Sequence, residues 1–251
     1  MRSKRFALAL TARRWFVVVV LGLVLAAASS ARADRRSYLW SYGYMTTPPG
    51  EMELEYYVTS ETPDSKLPGQ TDWEHRLELE AGLTDRFDFA VYQIFSQPAD
   101  GAFHYDAFQF RTRYRLGEPG QWVVDPLIYL EYRRPSALTL PNELEAKLIL
   151  SRDFERVNAV VNLIEEIAFA PGSEAETEYS AGLSFEAHPV VHLGVELFGD
   201  LATPEDDPKA HFFGPTISLA RDRWYYTVGV AMGLNKDSDD VRARAILGIG
   251  L

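Results

Sequence analysis

The chain has 251 residues, no cysteine, and 36 acidic against 25 basic side chains, a formal net charge of −11. It can therefore build neither a disulfide framework nor a thiolate site, and its charge excludes the basic footprint of a nucleic-acid binder.

Residues 1–33 read as a signal peptide. Arg2, Lys4, Arg5, Arg13 and Arg14 form a basic start, Trp15–Ala28 an apolar run, and Ala31-Arg32-Ala33 a small-x-small cleavage site. Their removal takes away six basic and no acidic residues, leaving 19 against 36, a net of −17. Residues 34–49 are aromatic and turn-rich, with Tyr38, Trp40, Tyr42 and Tyr44 ahead of Thr46-Thr-Pro-Pro49. The proline pair opposes strand pairing. This stretch is expected to be a periplasmic lead-in that tucks into the mouth of the domain formed by residues 50–251.

Twelve stretches then alternate at period two, the signature of strands whose successive side chains face opposite sides. They are 51–59, 73–83, 87–96, 108–116, 122–133, 143–151, 157–166, 178–187, 191–199, 212–220, 224–234 and 241–251. Leu54, Tyr56 and Val58 alternate with Glu53 and Glu55, and Leu77 and Leu79 with Glu78 and Glu80. Phe108 and Phe110 alternate with Arg111, Arg113 and Arg115, while Leu144 and Leu148 alternate with Glu143, Glu145 and Lys147. Val241, Ala243 and Ala245 alternate with Arg242 and Arg244. Two strands carry prolines, Pro126 and Pro215, and a bulge is expected at Pro126, which removes a ladder donor.

The connections alternate as well. Thr84–Arg86, Gly117–Gln121, Asp153–Arg156, His188–Val190 and Arg221–Arg223 are short, and most of the intervening ones are longer. Short periplasmic turns and long outer loops, with both termini on the short side, describe an outer-membrane barrel. Ten residues tilted by about 40° span roughly 25 Å, the height of its apolar band. Trp73, Phe87, Phe95, Trp122, Tyr132 and Trp224 fall near strand ends, where aromatic girdles sit. A soluble barrel or sandwich with its apolar face inward shows the same alternation. The leader, the strand number, the loop alternation and the apolar final strand favour the membrane orientation. The expectation is an all-β, antiparallel, up-and-down transmembrane barrel in the bacterial outer membrane, its partners outer-membrane lipid and the barrel-assembly machinery.

Two readings of the inner face stay open. In one, Glu53, Glu55, Glu78, Glu80, Arg111, Arg113, Arg115, Glu143, Glu145, Lys147, Arg242 and Arg244 line or constrict a pore for passive passage of a small solute. In the other, these rows pair across the lumen and brace a closed barrel. No catalytic, metal or cofactor motif is present. Gly182-Leu-Ser184-Phe-Glu186 lacks the second glycine of a nucleophile elbow, and His75, His104, His188, His192 and His211 show no zinc spacing. Two acidic stretches, Glu205–Asp207 and Asp237–Asp240, read as solvated outer loops.

Four phrases carry a resemblance: Pro49-Gly-Glu-Met-Glu-Leu-Glu55, Gly82-Leu-Thr-Asp-Arg-Phe87, Asn142-Glu-Leu-Glu-Ala-Lys-Leu-Ile-Leu150 and Phe212-Phe-Gly-Pro-Thr-Ile217. The chain resembles a group of uncharacterised bacterial outer-membrane β-barrel proteins, loosely similar to the phenol-degradation meta-pathway transporter-like barrels. The resemblance implies a small-solute transporter or channel and supplies no ligand residues. Such chains commonly end in an aromatic read by the assembly machinery, and Leu251 stands in that place here.

Overall fold

The computed structural model describes residues 36–203 and 209–251. The signal peptide and the Glu205–Asp207 stretch lie outside the described residues.

These residues form twelve strands: β1 Met52–Thr62, β2 Asp72–Thr84, β3 Phe87–Gln97, β4 His104–Arg115, β5 Asp125–Pro135, β6 Glu143–Phe154, β7 Val157–Ala168, β8 Glu176–His188, β9 Val191–Ala202, β10 His211–Arg221, β11 Trp224–Gly233 and β12 Val241–Gly250. Each pairs antiparallel with its neighbours in sequence. β1 then pairs with β12, from Glu53↔Gly250 to Thr62↔Val241, which closes the barrel and leaves no sheet edge. The strands run 10–13 residues, as the alternation requires.

The alternation separates two surfaces. Leu77, Leu130, Val161, Leu163, Leu183, Leu193, Leu219 and Leu247 are exposed on the outside, while Glu55, Glu78, Arg111, Asn162 and Glu196 are buried inside. A soluble protein does not leave so many large apolar side chains in a continuous belt. In hydrocarbon that belt is the stable arrangement.

Two expectations at the short-turn end are corrected. Trp122-Val123-Val124 is not strand. It belongs to a nine-residue turn over 116–124, closed where the Gly120 amide donates to Asp125 Oδ2 at 2.8 Å. Nor is there a bulge at Pro126. The register from Arg115↔Leu127 through Ala107↔Pro135 is unbroken, as is that with β6. Pro126 is the second residue of β5, so a strand that starts there has little ladder to lose. Pro215 is tolerated similarly. Its register with β9 continues through Pro215↔Val195, and the pairing with β11 skips two positions without shifting.

Residues 36–49 go deeper than the barrel mouth. They form a re-entrant loop inside the lumen, entering and leaving at the short-turn end, with Leu39–Tyr42 at its tip against mid-strand residues.

Candidate functional site

The lumen is built from the inward faces of all strands and from this re-entrant loop. Three groups of side chains hold the loop. Glu196 of β9 accepts three successive backbone amides: Oε1 from Leu39 at 2.7 Å, Oε2 from Trp40 at 3.0 Å and from Ser41 at 2.8 Å. Asn162 of β7 clamps Tyr42, accepting from its N–H at 2.6 Å and donating to its carbonyl at 3.0 Å. Arg244 of β12 donates from Nη1 to the Leu39 carbonyl at 2.9 Å. An extended loop leaves its amides without ladder partners, and burial makes each such group expensive unless paired. Here the wall supplies the pairs.

Further anchors flank the tip. Tyr38 Oη donates to the Asn158 carbonyl at 2.9 Å and to Asn158 Oδ1 at 2.7 Å. Tyr44 Oη donates to the Gly117 carbonyl at 2.5 Å, and the Thr47 amide donates to Asp88 Oδ2 at 3.0 Å. Trp40 stacks on Phe198 at 4.6 Å between ring centroids, and Phe198 on Phe212 at 5.1 Å. Glycines give the loop its space. A Cβ on Gly82 would strike the carbonyls of Thr47 and Pro48, and one on Gly182 would lie 2.5 Å from the Tyr38 ring.

Beside the loop lies a buried charge network on β2, β3 and β4. Arg111 is fully buried, with Nη2 on Glu78 Oε1 at 2.6 Å, Nη1 on Asp88 Oδ1 at 2.8 Å, a third bond to Glu80, and Nε on Tyr92 Oη at 3.2 Å. Arg113 forks onto Asp88, Nε to Oδ1 at 3.0 Å and Nη2 to Oδ2 at 2.7 Å, and also binds Glu80. The Thr47 hydroxyl donates to Glu80 as well, so the loop is tied into the network. The planar, multi-donor guanidinium suits several carboxylates at once. Glu55 accepts from the hydroxyls of Tyr57 and Tyr225, with the Arg36 guanidinium 3.6 Å away.

The other expected lining residues are placed as follows. Glu53 is buried at the short-turn end. Arg115 is buried against the Asp85 carbonyl and over the Tyr44 ring. On β6, Lys147 pairs with Glu145 at 3.0 Å and sits over the rings of Tyr42 and Tyr129. Glu143 pairs with Arg133 at 2.9 Å. Arg242 pairs with Asp239 at 2.8 Å, and Arg244 donates to Thr59 Oγ1 at 2.8 Å. The twelve residues thus form separate clusters rather than one ring. Arg111, Arg113, Glu78 and Glu80 come together; Glu143, Glu145 and Lys147 lie elsewhere.

Sequence reasoning missed Asp88, Asn162 and Glu196. The signal for Asp88 lay in the β3–β4 pairing, which sets Asp88 opposite Arg113. Glu196 and Asn162 bond to residues more than a hundred positions away, and no local pattern announces that.

The barrel has the fold of outer-membrane channels. No family model matches the sequence, and no curated protein matches it. Solved structures do. An outer-membrane channel from Pseudomonas putida F1 superposes with a TM-score of 0.62 at 14% identity, covering 85% of this chain and 100% of that one. The KdgM porin, solved in complex with disordered oligogalacturonate, gives 0.57 at 10% identity over 79% and 97%. The NanC porin gives 0.54 at 9% identity over 79% and 98%.

Proposed function

We propose that this protein is an outer-membrane channel that passes a small solute passively through its lumen, with residues 36–49 narrowing the path. One observation carries the reading. The wall is greasy on the outside, closed, and charged on the inside, in a fold shared with solved porins and channels. A charged, hydrated interior is what a passage needs and what a lipid-exposed face cannot tolerate. The likeness to porins and channels also favours passage over catalysis. The finer kinship, with phenol-pathway transporter-like barrels, rests on the four sequence phrases alone.

The braced, closed barrel is kept as a second reading because Arg111 is fully buried and spends four of its five N–H donors on Glu78, Glu80, Asp88 and Tyr92. On the channel reading this network is a stiff wall to which the loop is tied through Thr47. Liposome swelling separates the two. Proteoliposomes of the full chain swell in small neutral solutes if the lumen conducts, and match empty liposomes if it is braced shut.

A further inference from the structure

The rim of the barrel at the short-turn end carries an apolar patch below the outward belt. Trp122, Val123 and Val124 are exposed in succession, Val123 at 87%, and Phe154 beyond β6 is exposed at 58%. Large apolar side chains clustered at a rim mark a contact surface, because water around them is costly.

Two guanidiniums flank the patch on the outside. Arg152 continues the outward parity of Leu148 and Leu150 on β6, while Ile149 and Ser151 between them are buried inside. Its Nη1 donates to the Trp122 carbonyl at 2.8 Å, which fastens the exposed turn beside the outer side of β6. Arg156 follows β6 in the next turn. Its guanidinium lies 5.2 Å over the ring of Phe185, an exposed outward residue of β8, and its Nη2 donates to the Ala187 carbonyl at 3.0 Å. Stacking on that ring holds the charge on the outer surface.

Neither charge is neutralised by the protein. Among the described residues, Arg152, Arg156 and the intervening Glu155 form no ion pair. Other arginines at this end do: Arg86 has Glu118 at 2.5 Å, and Arg221 has Asp222 at 3.8 Å. Arg152 and Arg156 each give one hydrogen bond, to a carbonyl, out of five N–H donors. What remains is a fork suited to phosphate oxygens. Exposed rings, aliphatic side chains and unneutralised guanidiniums beneath a lipid-facing belt are complementary to an anionic phospholipid, acyl chains against the belt and phosphodiester on the arginine.

We infer that the outer rim formed by the 116–124 turn, Arg152 and Arg156 is a docking surface for anionic phospholipid, in the leaflet that the short turns of such barrels meet. Trp122, Val123, Val124 and Phe154 sit at headgroup level and the two arginines bind lipid phosphate. The inference needs the apolar belt to face lipid and is independent of whether the lumen conducts.

The test is native mass spectrometry of the purified full chain in neutral detergent, titrated with phosphatidylglycerol and phosphatidylcholine of identical acyl chains. Phosphatidylglycerol is expected to be retained about tenfold or more strongly, as two arginines at an anionic lipid surface provide. The double variant Arg152→Gln, Arg156→Gln should lose most of that preference while keeping the gel shift of a folded barrel. Arg86→Gln with Arg221→Gln, which removes the paired arginines, should keep it. Equal retention of the two lipids by wild type overturns the site even if a variant fails to fold. So does an unchanged preference in the folded Arg152, Arg156 variant, or its loss in the Arg86, Arg221 control. Displacement of the bound lipid by millimolar inorganic phosphate would reveal a free-anion site and overturn the lipid assignment. A barrel that is silent in bilayers yet prefers phosphatidylglycerol supports the rim and sinks the channel; a conducting barrel without the preference does the reverse.

Discussion

Replacing Glu196 by Gln should undock the tip of the re-entrant loop. The carboxylate takes the Leu39 amide on Oε1 and the Trp40 and Ser41 amides on Oε2. Gln retains one carbonyl oxygen, best used on Trp40 and Ser41, and its NH₂ then faces the Leu39 N–H. One charge-assisted bond, about 1.5–3 kcal/mol, disappears, and two others fall to the neutral value of about 1 kcal/mol. The sum is about 2.5 kcal/mol at the low end, or roughly seventyfold more population with Leu39–Ser41 released. The other anchors, Asn162 on Tyr42 and Arg244 on Leu39, remain and should keep the rest of the loop seated. Hydrogen exchange read by mass spectrometry on the peptide spanning residues 36–49 should show faster exchange in the variant, and single-channel records should show more frequent or longer openings. Wild-type exchange in a folded Glu196→Gln protein would refute the claim that this carboxylate holds the loop in place.

Four further outcomes follow from the same geometry. Arg111→Met should destabilise the barrel by about 3–5 kcal/mol in denaturant unfolding from micelles, because Glu78, Glu80 and Asp88 lose their shared cation; an unchanged midpoint would show the network to be dispensable. Leu130→Arg places a cation in the middle of the outward belt and should cost about 2–4 kcal/mol if that face meets lipid, whereas a soluble surface would absorb it at no measurable loss. Gly182→Val drives side-chain atoms into the Tyr38 ring and should raise exchange of the loop by about 1–3 kcal/mol of overpacking, with barrel stability in the gel-shift assay little altered. At the long-loop end, Asp240 Oδ2 accepts from Ser65 N at 2.9 Å and from Ser65 Oγ at 2.8 Å, which holds its carboxyl below the usual range. A depressed value means the clasp between loops 63–71 and 234–240 is present at neutral pH and lost as pH falls through the folded value, below about 4. Loop proteolysis should accelerate only in that acid window, and Asp240→Asn should abolish the step.

The wall of this barrel was legible because period two is a local property. Glu53 and Glu55 against Leu54 and Tyr56, or Arg111 and Arg113 against Phe110 and Tyr114, settle which face each side chain takes without knowledge of a partner strand. Glu53, Glu55, Glu78, Glu80, Arg111, Arg113 and Arg115 are buried. What those residues do inside was less legible. The arginine row reads as a constriction in sequence, yet hairpin register sets Arg113 against Asp88 and Arg111 within reach of Glu78 and Glu80. The turn before Pro126 was misplaced because Trp122-Val123-Val124 has strand composition, while the hydrogen bond from the Gly120 amide to Asp125 that ends the turn lies outside any composition rule. The re-entrant loop was least legible. Its Tyr-Leu-Trp-Ser-Tyr-Gly-Tyr run alternates like a strand, and partners far along the chain, Glu196, Asn162 and Arg244 among them, turn it into a luminal segment.

Single-channel recording in planar bilayers, with the full chain and a variant lacking residues 36–48 compared under the same salt gradient, tests the central claim most directly. The channel account predicts small, cation-selective currents from the full chain and a clearly larger conductance from the shortened one. Silent bilayers from both folded proteins would contradict it and leave a barrel braced shut by its own salt bridges.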